Sequence, residues 1–123
     1  MFVGICQDAG NKYKTENKYR MEDAIAIGNS IVAVADGHGS REDEGGKTAA
    51  EKAVVCACNG KTFDKIQNSV LTVKQVNNLA AAGCTLTVAY LTGKQKLRLK
   101  QVGDSSIMLV TPLWVDNTPA RFI

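Results

Sequence analysis

Five consecutive apolar residues, Ile31-Val32-Ala33-Val34-Ala35, run directly into Asp36-Gly37-His38-Gly39. A stretch suited to burial thus ends in a carboxylate, two glycines and the only histidine of the chain. A short apolar run rich in β-formers and bounded by turn residues reads as a strand buried on both faces. A carboxylate at the point where such a strand leaves the core costs free energy unless hydrogen bonds or a cation compensate it. The glycines beside it let backbone or ligand approach closely. The segment is therefore a candidate site, and its neighbours in the fold decide what that site can do.

The nearest neighbour is Ala24 to Ile27, joined to the first run by the turn cluster Gly28-Asn29-Ser30. The two runs read as an antiparallel hairpin. In that hairpin Glu22 and Asp23 start beside the place where the partner strand ends at Asp36, so three carboxylates converge at one end of a sheet. Upstream, Phe2 to Gln7 reads as a strand and Asp8 to Arg20 as a polar loop.

Downstream, Ala50, Ala53, Val54 and Ala57 recur at helical spacing between Gly46 and Cys58, an amphipathic helix with a small-residue face. A second helical pattern runs from about Phe63 to Ala82, with Phe63, Ile66, Val70, Val73 and Val76 on one side and Gly83 closing it. Leu86, Val88 and Tyr90 alternate as a half-buried strand does. Leu97 and Leu99 alternate with basic residues until the period slips at Gln101-Val102, which predicts a bulge or bend. Gly103-Asp104-Ser105 ends that strand, Ile107 to Val110 supplies a last one, and 111–123 reads as an irregular tail. The order gives one domain over 1–110 in the α+β class with a largely antiparallel sheet.

The 123 residues, 45% hydrophobic, suffice for one core and not for two ordinary domains. A net charge of +3, scattered apart from Lys12 to Arg20, supports no nucleic-acid stripe. No apolar run approaches the roughly 20 residues of a membrane span. Cys6, Cys56, Cys58 and Cys84 form no CxxC pair and follow no secretory segment, so free thiols in a reducing cytoplasm are expected.

Asp-Gly is by itself a common turn dipeptide. With Glu22 and Asp23 nearby it also offers the carboxylate and carbonyl oxygens that Mg²⁺ or Mn²⁺ prefer, Asp36, the Gly37 carbonyl and Glu22 being the candidate ligands. Zinc is the less expected metal, since one histidine and no suitably spaced cysteines do not assemble its usual nitrogen and sulfur set. His38 is either a structural histidine or, two residues from the proposed ligand, a general acid beside a metal-bound substrate. Lys12, Lys14, Lys18 and Arg20 form either a solvated loop or a phosphate-holding one.

Taken in order, Arg20-Met21-Glu22-Asp23, Val34-Ala35-Asp36-Gly37-His38-Gly39, Ala82-Gly83-Cys84-Thr85 and Val102-Gly103-Asp104-Ser105-Ser106 resemble the metal-dependent serine/threonine protein phosphatases of type 2C. The likeness extends from about Met1 to Val110 and matches the N-terminal part of that family's catalytic domain. It implies a β-sandwich flanked by helices, with two Mn²⁺ or Mg²⁺ ions between the sheets. It further implies hydrolysis of phosphoserine or phosphothreonine in a protein substrate by a hydroxide held between the metals.

On the matched positions Asp36 bridges both metals, the Gly37 carbonyl and Glu22 serve one, Asp23 lies in the outer shell, and His38 is the general acid. Asp104 matches an aspartate used for a third, weaker metal. Lys18 stands where the family's phosphate-binding arginine is usual, with Arg20 as a substitute. Ser40 and Ser106 replace a glycine and an arginine of the pattern. The family's later metal-binding aspartates have no counterpart here, and Asp116-Asn117 does not supply one. Two functions follow as expectations: a phosphatase or the N-terminal piece of one, for which exposed sheet faces favour dimerisation or strand exchange, or an inert phosphatase-like binding or regulatory module.

Overall fold

The structure, a computed structural model, describes residues 3–8, 21–39, 44–93 and 96–108, together with the backbone of 112–113 and 121–122. Asn29-Ser30, with Ser30 at φ 59°, turns strand β1 (Ala24–Gly28) back into β2 (Ile31–Ala35) as the expected hairpin. After the two-residue strand β3 (Gly37–His38) come helices α1 (Gly45–Cys58) and α2 (Phe63–Val76). The short β4 (Gly83–Cys84), then β5 (Leu86–Leu91) and β6 (Leu97–Val102), complete the main body. A four-stranded antiparallel sheet runs β1-β2-β5-β6, and β3 pairs with β4. The register from Ile31↔Tyr90 to Val34↔Thr87 is carried on unchanged by Gly37↔Cys84 and His38↔Gly83. The two pairings are one ladder interrupted at Asp36. The α+β class and the antiparallel sheet agree with expectation.

Strict alternation sorts the sheet into two faces. Ala24, Ala33, Ala35, Leu86 and Val88 are buried against α1, whose own buried stripe is Ala49, Ala50, Ala53, Val54, Cys56 and Ala57. These are small side chains, so helix and sheet approach closely; dispersion between well-fitted surfaces replaces the area that larger residues would bury. Ile66 of α2 and the edge of Phe63 extend this core, and the Lys100 ammonium lies 5.7 Å from the Phe63 ring centre. The opposite face is open among the described residues: Ile27, Val34, Leu91, Leu97 and Leu99 are exposed there. The central strand is thus buried on one face, not on both as its composition suggests.

Both helices end in the same hydrogen-bonded motif. Gly60, at φ 74°, donates its N–H to Ala57 O and Lys61 to Cys56 O; Asn78, at φ 55°, donates to Gln75 O and Leu79 to Lys74 O. Asn78 therefore stops α2 at Val76, well short of Ala82 and Gly83. Val76 is 75% exposed, and Leu79 and Ala82 are buried from the connection that follows. Four further expectations are corrected. Residues 3–8 form no strand, having no ladder partner among the described residues. β6 keeps a regular register with β5 from Leu97 to Val102, so the slipped period reflects exposure along the whole strand and not a bulge. Ile107 and Met108 are not in a strand, and within 111–123 the segments β7 (Pro112–Leu113) and β8 (Arg121–Phe122) pair as a small ribbon. Among the described residues no helix is long and apolar enough to cross a membrane.

Val88→Ala removes two methyl groups from a fully buried site and is expected to cost roughly 2 kcal/mol. Val76→Ala should change stability by less than about 0.5 kcal/mol. Urea unfolding of the two variants checks the placement of α2.

Candidate active site

Asp36 lies where the central strand is held from both sides. On one side the hairpin register continues past Ala24↔Ala35, because the Gly37 N–H donates to Glu22 O at 3.2 Å. Asp23 is therefore directly opposite Asp36, at a position between hydrogen-bonded pairs, where side chains come closest. On the other side the Thr85 N–H donates to Asp36 O at 2.8 Å, and the Asp36 N–H donates to the Thr85 hydroxyl at 3.0 Å. A side-chain oxygen takes the place of the carbonyl that an unbroken ladder would use. Thr85 Oγ1 in turn shares a 2.7 Å hydrogen bond with Ser105 Oγ, and the Gln7 side-chain amide donates to Asp23 O at 2.8 Å.

Two carboxylates opposed across a ladder repel. Burial, then the charge of Asp36 and a hydrogen bond with it, and last the charge of Glu22 push the Asp23 carboxyl above its ordinary 3.8. One proton or a bound cation relieves such a pair. By alternation Asp23, Asp36 and His38 share the open face of the sheet, while Gly37 faces α1. Adjacent residues on extended chain take opposite faces, so Glu22 diverges from Asp23, consistent with its being the weakest of the influences on it.

Glycines are required here by contact. A Cβ on Gly37 would collide with the carbonyl oxygen of Gly46 in the first turn of α1 and come within 2.6 Å of Glu22 O. A Cβ on Gly46 would lie 2.8 Å from His38 N. The helix start and the loop are in backbone-to-backbone contact. A Cβ on Gly83 would lie 2.5 Å from His38 Nε2, which shows that the exposed imidazole rests across the Gly83 backbone.

Protein phosphatase 2C is the family whose model matches this sequence, over residues 14–112. The chain belongs to the protein phosphatase 2C family. A solved structure of the serine/threonine phosphatase PstP/Ppp of Mycobacterium tuberculosis is similar in fold, with a TM-score of 0.51 and 24% identity. The similarity covers 68% of this chain and 40% of that one, so the chain spans less than half the length of that phosphatase. No curated protein matches the sequence.

Of the residues singled out in the sequence, the structure brings together Glu22, Asp23, Asp36, Gly37 and His38. Asp104 is exposed on the turn before Ser105 and is not among the groups acting on Asp23. Lys18 and Arg20 lie outside the described residues. The oxygens of Asp36 and Asp23 suit the Mn²⁺ or Mg²⁺ that this family uses. Among the described residues, however, no group of three or more His, Cys, Asp or Glu side chains is placed to hold a metal ion. Thr85 and Ser105 tie the Asp36 backbone to the turn carrying Asp104; the Asp36–Thr85 link spans 49 residues and the Thr85–Ser105 link 20, so neither leaves a local pattern in the sequence.

Because the folded state holds the Asp23 proton more tightly than the unfolded chain does, stability falls as pH rises from near 3.8 through the raised folded value. Asp23→Asn should therefore unfold at higher urea than the wild type at neutral pH, the two converging as pH falls, while its Mn²⁺ affinity drops about tenfold or more by calorimetry. The glycines separate by what they touch. Gly37→Ala should destabilise by about 3 kcal/mol because the obstacle is backbone. Gly83→Ala should cost less than about 1 kcal/mol, since an exposed ring can swing aside, and should shift the His38 imidazole resonances in NMR spectra.

Proposed function

We propose that this chain carries the Asp36 end of a metal-dependent serine/threonine protein phosphatase active site, acting on phosphoserine or phosphothreonine in a protein substrate. The observation behind this reading is the placement of Asp36, Asp23 and His38 on one sheet face in a member of the protein phosphatase 2C family. Asp36 would hold the Mn²⁺ or Mg²⁺ with the Gly37 carbonyl, Asp23 would stand beside it in the outer shell, and Glu22, on the other face, would reach it through water. The bound metal supplies Lewis acidity and a nucleophilic water at neutral pH.

The chain's own residues orient and protonate. Thr85 fixes both backbone polar groups of Asp36, so the backbone from which its carboxylate projects is held in place. His38, two residues along the same face, donates a proton to the departing serine or threonine oxygen, and the Gly83 backbone under its ring sets where that proton is delivered. Lys18 and Arg20 attract the phosphate dianion. The open apolar face favours a second copy or an exchanged strand as its cover. All four cysteines are free thiols, which supports a reducing, cytoplasmic setting.

The lack of a three-residue donor group among the described residues favours a second reading, an inert phosphatase-like module that recognises a phosphoprotein. Turnover separates the two. The phosphatase reading expects Mn²⁺-stimulated hydrolysis of a phosphothreonine peptide, lost in Asp36→Ala. In His38→Ala it expects a rate lowered about 100-fold or more, with the basic limb of the pH profile altered. Phosphopeptide binding in calorimetry without turnover supports the module instead.

A further inference from the structure

On the helix side of the sheet, the face opposite the acidic pair, α1, α2 and the β4–β5 segment line a cavity of about 300 Å³ that opens to solvent. Its walls are mainly apolar, with Phe63, Ile66, Val70 and Leu86 among them, and three polar side chains line it: Gln67, Lys74 and the Cys84 thiol. Lys74 forms no ion pair among the described residues. Burial pushes the Cys84 thiol pKa up, the Lys74 ammonium pulls it down, and the more weakly felt Asp36 charge pushes it up again, which sets the ammonium within electrostatic reach of the thiol. A volume at the lower end of the ~300–1,000 Å³ typical of ligand sites suits a small occupant. Apolar walls with one unpaired cation suit a molecule with an apolar body and an anionic head.

We propose that this cavity is a binding site for a small amphipathic carboxylate, its chain lying among Phe63, Ile66, Val70 and Leu86 and its carboxylate on the Lys74 ammonium. Nothing in the phosphatase chemistry uses these residues, so the site stands or falls independently of that reading. Its occupant lies against Cys84, the register partner of Gly37, and so touches the strand that supports the acidic loop.

The probe is octanoate, titrated against the full chain below its aggregation concentration, with neutral octanol as the comparison. One saturable site is expected by calorimetry, together with slower alkylation of Cys84 measured by mass spectrometry. Lys74→Gln, a partly exposed change that leaves the core intact, should weaken octanoate about tenfold and leave octanol unchanged. Val70→Trp, which fills the cavity, should abolish both. The proposal is overturned if octanoate and octanol bind alike, if Lys74→Gln has no effect, if Val70→Trp still binds, or if binding fails to saturate.

Discussion

Everything near the candidate site depends on one short stretch of backbone hydrogen bonding. Asp36 gives its N–H to the Thr85 hydroxyl and accepts from the Thr85 N–H, while the next residue, Gly37, donates to Glu22. The middle strand is thereby tied to both neighbours at the very point where its side chains turn from apolar to acidic. Held this way, Asp36 cannot relieve its opposition to Asp23 by moving its backbone. The repulsion is stored in side chains on an accessible face, where a cation or proton can remove it. An incomplete ladder would let the two carboxylates drift apart and would lose the cation preference with them.

That ladder is in turn fixed by close packing of small residues. Ala33 and Ala35 are fully buried beneath Ala50, Ala53 and Ala57 of α1, and the Gly37–Gly46 contact sets the helix start against the acidic loop. Such packing leaves no slack, because each partner is already at its minimum size and a single added Cβ meets backbone. The helix and the loop therefore share one geometry. Larger side chains would bury more area, but they would hold the helix farther from the sheet and lose the backbone contact that orients Gly37.

Local signals made part of this legible. The hairpin of β1 and β2 and the convergence of Asp23 on Asp36 follow from alternation and a turn cluster, both contained within about fifteen residues of sequence. The α1 stripe was equally readable. The end of α2 was not, because Asn78 adopts the left-handed conformation that Gly83 was expected to provide, and the sequence ranks glycine first for it. The slipped period in β6 reflects exposure: a strand exposed along its length has no core face to keep its pattern in step. Thr85 and Gly46 act through partners far away in sequence, so their roles became visible only with the register in hand.

The open sheet face and the partial donor set have a common physical origin. Asp23, Asp36 and His38 project on the same side as Ile27, Val34, Leu91, Leu97 and Leu99, the side that no described element covers. An exposed apolar surface of this kind is costly in water and is relieved by a covering layer. A layer laid on that face meets the apolar residues over the sheet and the carboxylate pair at its end. It therefore lowers the local dielectric around Asp23 and Asp36, which strengthens their pull on a cation, and it can bring its own oxygen donors to them. On this geometry, covering the sheet and changing the surroundings of the carboxylate pair are one event.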